Sequence, residues 1–235
     1  MHKTIEIMTR NPLTMLAFCL GMSMMTYADN TDLSTVANTI YIDSLTAMSS
    51  KTVTLSVKMK NEVKVEGLQF RLVLPEGLSV KTVPDTAVYL GVDRVDISSR
   101  YSLEKAIQDD GSLIVMIASL ERKIFSGTDG EVCTVKVQVP LDIAPDSYPI
   151  YIRDIVLSDN QDIPVSYDTD EVERNITVYL YGDVNHDGTV GIGDIVAITN
   201  AMSINEELCD ADVNDDGQAG IGDIVAITNI MAGKE

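Results

Sequence analysis

Apolar and polar residues alternate along much of the chain between residues 50 and 181. Thr52 to Met59 alternates cleanly, and so do Leu68 to Leu74, Val135 to Val139 and Tyr148 to Ile152. A period of two sends successive side chains to opposite faces, the pattern of a strand with one face buried. Leu113 to Ile117 is a continuous apolar run, which predicts a central strand covered on both sides. Turn chemistry separates these runs. Asp110-Gly111 is a hairpin signal, and Pro75-Glu76-Gly77, Ser126 to Gly130 and Ser158 to Asp162 are further turns. About eight to nine strands at this spacing predict a mainly β chain, an antiparallel β-sandwich. Only Glu104 to Gln108 reads as a single helical turn.

After the β-branched and aromatic run Ile176 to Tyr181 the pattern changes. Gly191 to Asn200 and Gly220 to Asn229 are identical, GIGDIVAITN, offset by 29 positions. Helical spacing puts Ile195, Ile198 and Met202 on one stripe and Ile224, Ile227 and Met231 on its counterpart, a small core for two helices. Val196 and Val225 fall about 100° off those stripes, and Ile192 and Ile221 precede the helices. Each helix is fed by an acidic loop, DVNHDGTV from Asp183 and DVNDDGQA from Asp212.

Counted from Asp183, the loop places Asp183, Asn185, Asp187, Thr189 and Asp194 at positions 1, 3, 5, 7 and 12. The second places Asp212, Asn214, Asp216, Gln218 and Asp223 there. A twelve-residue calcium loop draws oxygen ligands from these positions, with a backbone carbonyl at 7 and a water-bridged contact at 9, here Gly191 and Gly220. Position 6 needs a sharp turn, which Gly188 and Gly217 supply. Position 12, usually Glu, is Asp in both loops, so the shorter arm must draw the helix start toward the ion. Two loops in register predict two calcium ions. Solvated Asx turns would explain one such loop more readily than a matched pair.

A strand precedes the first loop and only Asn205 to Ala211 precedes the second, so each loop has an exiting helix and little entering one. Two such half-hands, spanning Gly182 to about Ala232, resemble a type I dockerin. That resemblance implies a small all-α, calcium-dependent module that binds a cohesin-type protein partner, with the calcium ligands on the loop positions just named. The family's recognition pair, often Ser-Thr at positions 10 and 11, falls on Ile192-Gly193 and Ile221-Gly222, a departure that bears on which cohesin is recognised and not on calcium. Ile192, Gly193, Val196, Thr199 and Asn200 are the expected partner surface of the first repeat. Ile221, Gly222, Val225, Thr228 and Asn229 are that of the second. A pseudo-two-fold would then let one partner dock in either of two orientations.

In the preceding domain, LVLPEGLSV at Leu72 to Val80, FSGTDGEV at Phe125 to Val132 and IRDIVLSD at Ile152 to Asp159 resemble cohesin and carbohydrate-binding-module sandwiches, a resemblance that implies a jelly-roll-like β-sandwich. Similar runs occur in secreted proteins of gut Bacteroidetes that end in a dockerin.

Charge and composition narrow the function. Asp183 to Glu235 holds eleven acids against Lys234 alone, so metal-free loops repel themselves. Lys3 and Arg10 form a basic segment ahead of an apolar run, Leu13 to Met25, and Thr26-Tyr27-Ala28 offers a cleavage site. Residues 1–28 therefore read as a signal peptide, 29–181 as the sandwich and 182–235 as the calcium module, in a secreted protein with no membrane span. Cys19 invites a lipoprotein reading, against which Phe18 is bulky for a lipobox. Cys133 and Cys209 are too few for a disulfide framework; one bond between them and two free thiols both stay open, the latter preferred. The mature chain has one histidine, His186, at loop position 4, expected to point outward, so no Ser-His or Cys-His pair is available and no enzyme is expected. With 24 acids against 14 bases and no basic stripe, the sandwich excludes nucleic acid. There is no Trp, but Tyr89, Tyr101, Tyr148, Tyr151 and Tyr167 keep open an alternative in which the sandwich binds polysaccharide and the dockerin tethers it. A third reading has the dockerin packed against its own sandwich.

Overall fold

The structure is a computed structural model that describes residues 38–82, 88–91, 93–95, 101–159, 164–165, 171–204 and 209–234. The signal segment with its cleavage site, Cys19, Tyr167 and the end of the turn at Ser158 to Asp162 lie outside the described residues.

The alternating runs are strands, as their period requires. The chain runs β1 (Thr39–Ile42), β2 (Leu45–Met48), β3 (Thr52–Lys60), β4 (Gly67–Val73), β5 (Ser79–Val80), β6 (Val88–Leu90), β7 (Tyr101–Ile107) and β8 (Leu113–Ser119). It continues through β9 (Asp129–Gln138), β10 (Asp146–Ser158), β11 (Pro164–Val165) and β12 (Val172–Tyr179). One sheet has the order β1-β3-β9-β5, with β6 also on β9; the other has β2-β12-β10-β4-β8-β7, with β11 on β10. The inward residues of both sheets form one core, including Leu55, Val57, Phe70, Leu72, Val135, Val137, Ile150 and Ile176. β8 is buried on both faces: Leu113, Val115 and Ile117 join the main core, and Ile114 and Met116 meet Ala106 outside it.

Two details depart from simple alternation. Of Glu104 to Gln108, read as a helical turn, all but Gln108 belong instead to β7, which pairs with β8 from Tyr101–Ser119 to Ile107–Leu113. The reason lies in the hairpin: the Gln108 amide donates to the Ser112 carbonyl and the Gly111 amide to the Gln108 carbonyl, so the tight turn pairs both flanks as strand. In β10 the inward set passes from Ile150 and Ile152 to Ile155 and Leu157. The pairing with β4 is irregular between Arg153 and Val156, where Asp154 has φ 52°. That bulge shifts the phase by one residue and keeps both halves of the long strand facing the core.

Among the described residues the sandwich is antiparallel except for one pair. β2 and β12 run parallel, with Met48 opposite Tyr179. Parallel strands leave a sheet at the same end, so the residues after Met48 and those after Tyr179 emerge side by side. The Ser49 amide donates to the Tyr179 carbonyl at 2.9 Å. This pairing carries the turn Ser49 to Lys51 up against the start of the C-terminal module.

That module holds helix α1 (Ile192–Ile204), a 3-10 turn (Cys209–Ala211) and helix α2 (Ile221–Met231). Its core contains Val184, Ile198, Ala201, Ala211, Val213 and Ile227, with Met48 contributed by the sandwich and Tyr181, Val190, Ile195, Ile224 and Ile230 packed at its edge. Met202 and Met231, expected to complete the two core stripes, are exposed instead. Ala201 and Ile230 continue the stripes, and the small Ala201 side chain shares the cluster with Ala211 of the 3-10 turn. Cys133 is buried and free, and desolvation pushes its thiol far above the ordinary range.

Candidate metal centre and partner face

Each loop closes on its own carboxylates. Asp183 accepts the Asp187 amide on Oδ1 and the Gly188 amide on Oδ2, both at 3.0 Å. Asp212 accepts the Asp216 and Gly217 amides in the same way, at 3.0 and 2.9 Å. Gly188 and Gly217 take φ of 86° and 90°, the left-handed turn that position 6 demands. Asn185 and Asn214 accept the amides two residues on, at 3.0 and 2.9 Å, as Asx turns. The Asp187 carboxyl is held below the usual carboxylate range by the Thr189 hydroxyl, then by the Asn185 side-chain amide and the Thr189 backbone amide.

Position 12 joins loop to helix. Asp194 accepts the Val184 and Asn185 amides on Oδ1 and the Gly191 amide on Oδ2. Asp223 accepts the Asn214 and Gly220 amides. Each is the third residue of its helix and reaches back over the helix start, as the acidic partner of a capping box does. The short Asp arm therefore draws the helix start onto the loop.

Asp183, Asp194 and Asp223 are fully buried. The ammonium that reaches this module from the sandwich, Lys51, pairs with Asp215 and not with these buried carboxylates. Buried carboxylates held only by amides favour an added cation. No three carboxylate, imidazole or thiol groups converge on one point among the described residues. Each loop's donors are instead three Asp, one Asn and the carbonyl of Thr189 or Gln218, spread round the turn. An all-oxygen set of this kind suits calcium, which takes carboxylate, amide, carbonyl and water oxygens in flexible geometry, and does not suit zinc, which prefers nitrogen and sulfur. Asp183, Asn185, Asp187, Thr189 and Asp194 would hold one ion and Asp212, Asn214, Asp216, Gln218 and Asp223 the other.

All ten expected partner-face residues are exposed. Ile192 and Ile221 are each 71% exposed, and Val196 and Val225 are 52% and 53% exposed. The two repeats thus present matching apolar faces. Thr199 and Thr228 donate their hydroxyls to the carbonyls of Ile195 and Ile224, both at 2.7 Å. Gly193 and Gly222 have a steric role that spacing did not reveal. A Cβ at Gly193 would lie 2.5 Å from Asn185 Nδ2, and one at Gly222 would lie 2.4 Å from Asn214 Nδ2. The loop folds its position-3 amide across the helix start, so a side chain at this glycine must push that amide aside. Gly193→Ala or Gly222→Ala is expected to cost about 1–3 kcal/mol and to weaken calcium uptake, because a displaced Asn carries a ligand oxygen away with it. Helical circular dichroism on heating, with and without calcium, measures both; an unchanged midpoint and uptake would assign the glycines to the surface alone.

His186 is exposed, as position 4 suggested, but its ring is not left to solvent alone. Its ring stacks on Tyr179 at 3.8 Å between centroids with planes 6° apart, and Nε2 lies 3.1 Å from Asp210 Oδ2. Two further residues at this junction carried no sequence signal. Lys51 donates through Nζ to the carbonyls of Asp212 (2.7 Å) and Val213 (2.9 Å) and to Asp215 Oδ1 (2.5 Å). The Met48 sulfur lies 3.0 Å from the Gly182 amide. Tyr181 adds its hydroxyl to the Val213 carbonyl at 2.8 Å.

No protein-family model matches the chain, and no curated protein does. Solved structures do. A non-cellulosomal cohesin from the archaeon Archaeoglobus fulgidus superposes with a TM-score of 0.51 at 21% identity, covering 64% of this chain and 96% of that one. A chain from a type I cohesin–dockerin complex of Clostridium thermocellum gives 0.51 at 18%, covering 60% and 99%. The seventh ScaB type I cohesin of Pseudobacteroides cellulosolvens gives 0.51 at 15%, covering 61% and 93%. The residue runs at Leu72, Phe125 and Ile152 that resembled cohesins thus lie in two curled sheets, and the β-sandwich of this chain is cohesin-like in fold.

Proposed function

We propose that this chain is a secreted, non-catalytic assembly protein, in which a cohesin-like sandwich carries a calcium-dependent, dockerin-type module that docks on a cohesin-type protein partner. The observation that carries this reading is the coincidence of two calcium-patterned loops with two equally exposed apolar faces, Ile192 with Val196 and Ile221 with Val225. Calcium would set each loop and with it the first turn of each helix, so the faces are presented correctly only in the loaded state. Solved complexes that pair cohesins with dockerins support a protein partner for such a module. Catalysis has no support in the chemistry of the one mature histidine, whose ring is taken up by Tyr179 and Asp210.

Immobilised full-length chain, exposed to secreted material in calcium and then eluted with chelator, tests the reading. The expected eluate contains a protein with a cohesin-type sandwich. Binding that persists in chelator, or an eluate without such a domain, would overturn it.

A further inference from the structure

The two calcium loops differ at three positions only: 4 (His186 and Asp215), 7 (Thr189 and Gln218) and 8 (Val190 and Ala219). Position 4 is where both loops meet the sandwich. His186 and Asp215 share the same left-handed backbone, φ 60° and 61°, so their Cβ atoms leave the loops in equivalent directions. Yet each meets a different partner. His186 lies flat on Tyr179, the last residue of β12. Asp215 receives Lys51, from the turn between β2 and β3.

Rotating the module by its pseudo-two-fold would exchange these contacts. The Asp215 carboxylate would then sit over the electron-rich face of Tyr179, which repels an anion. The His186 ring would meet the Lys51 ammonium, which needs an acceptor and a countercharge. Lys51 cannot tolerate that exchange, because its side chain is only 11% exposed and all three of its protons are used by the second loop. Asp215 is 70% exposed, so the ion pair by itself contributes little. The weight rests on the buried ammonium and on the two loop carbonyls it satisfies. Met48, enclosed in the module's core, fixes the same approach from the apolar side.

From this we infer that loop position 4 registers the C-terminal module on its own sandwich in one orientation, with His186 on Tyr179 and Asp215 on Lys51. The repeats differ at the loop position that meets the sandwich, and their exposed helix faces, Ile192, Val196, Thr199 and Asn200 against Ile221, Val225, Thr228 and Asn229, are identical. An asymmetric inner side fixes the module, and a symmetric outer side is left free. The chain is therefore a stiff unit and not two domains on a tether. This registration does not depend on what the outer faces bind.

Carbodiimide cross-linking of the full chain in saturating calcium reads the Lys51–Asp215 contact directly, since it joins only touching amine and carboxylate groups. A Lys51–Asp215 cross-link within one chain is expected, together with small-angle scattering that fits one compact particle. The exchange variant His186→Asp with Asp215→His should lose that compactness and raise hydrogen exchange at the Asp183 and Val184 amides about tenfold or more. Because the exchange could unfold the module, Lys51→Met offers a change made wholly in the sandwich. It should produce the same loss of protection and compactness while the helical circular dichroism stays at the wild-type value. Wild-type compactness and protection in Lys51→Met would overturn the inference, as would Lys51 cross-linking to acids other than Asp215. A chain that takes up no calcium by calorimetry, yet gives the cross-link, would sink the calcium reading and leave this one standing.

Discussion

Calorimetric titration of the full chain with calcium is expected to register about two ions, and the variant Asp187→Ala with Asp216→Ala is expected to register none. Position 5 is the informative place to cut. Asp187 and Asp216 are exposed, and their bonds stay within the loop: Asp187 accepts from Thr189 and Asn185, and Asp216 from Gln218 and Asn214. Removing them therefore costs a metal ligand with little damage to the packing beneath. Asp194 and Asp223 would be poor choices, because each is buried and caps a helix, so its loss confounds ligation with folding. Affinity on the order of 10⁻⁴ M is expected, which extracellular calcium saturates and cytosolic calcium does not. Chelation should loosen α1 and α2, since eleven acids against one lysine in residues 183–235 then repel with no counterion in the loops. A wild-type chain with no calcium heat, or one whose helices are indifferent to chelator, would end the metal assignment.

Against the cohesin-type partner, Ile192→Asp alone and Ile221→Asp alone should each weaken binding only about twofold, and the double variant by a hundredfold or more. Losing one of two equivalent modes halves the association constant, whereas a carboxylate placed in the centre of both faces costs about 3 kcal/mol or more in either mode. The sandwich does not decide the matter by covering one face, because the two repeats are equally exposed, at 71% for each isoleucine and 52% and 53% for the valines. The same exposure means the substitutions leave the fold intact. Surface plasmon resonance on calcium-loaded protein separates the outcomes. A single variant that abolishes binding would leave one usable orientation, and a double variant that still binds would place the partner elsewhere.

The sandwich is largely legible in the sequence, because a strand with one buried face must alternate, and β3, β4, β9 and β10 fall on runs that do, while β8 falls on the continuous apolar run and β12 on the β-branched and aromatic one. The helices that leave the two loops, and the exposure of Ile192, Val196, Ile221 and Val225, also follow from local spacing, which an α-helix turns into a face. Where the sequence misled, a contact distant along the chain had overridden it. Glu104 to Ile107 is strand because β8 pairs with it, and Met202 and Met231 are outside because Ala201 and Ile230 fill the core. Dockerin character and the ions themselves rest on loop spacing and remain proposals. What only the tertiary structure decided is the join. The parallel pairing of β2 with β12 brings Met48 and Lys51 to a loop more than 130 residues away. No local pattern encodes that meeting, since Met48 and Lys51 read as an ordinary strand end and an ordinary surface lysine until the sheet places them. The sequence by itself determined the two modules and the identical outer faces; the fold determined which side of the second module turns inward, because a buried ammonium must find its acceptors wherever the chain brings it.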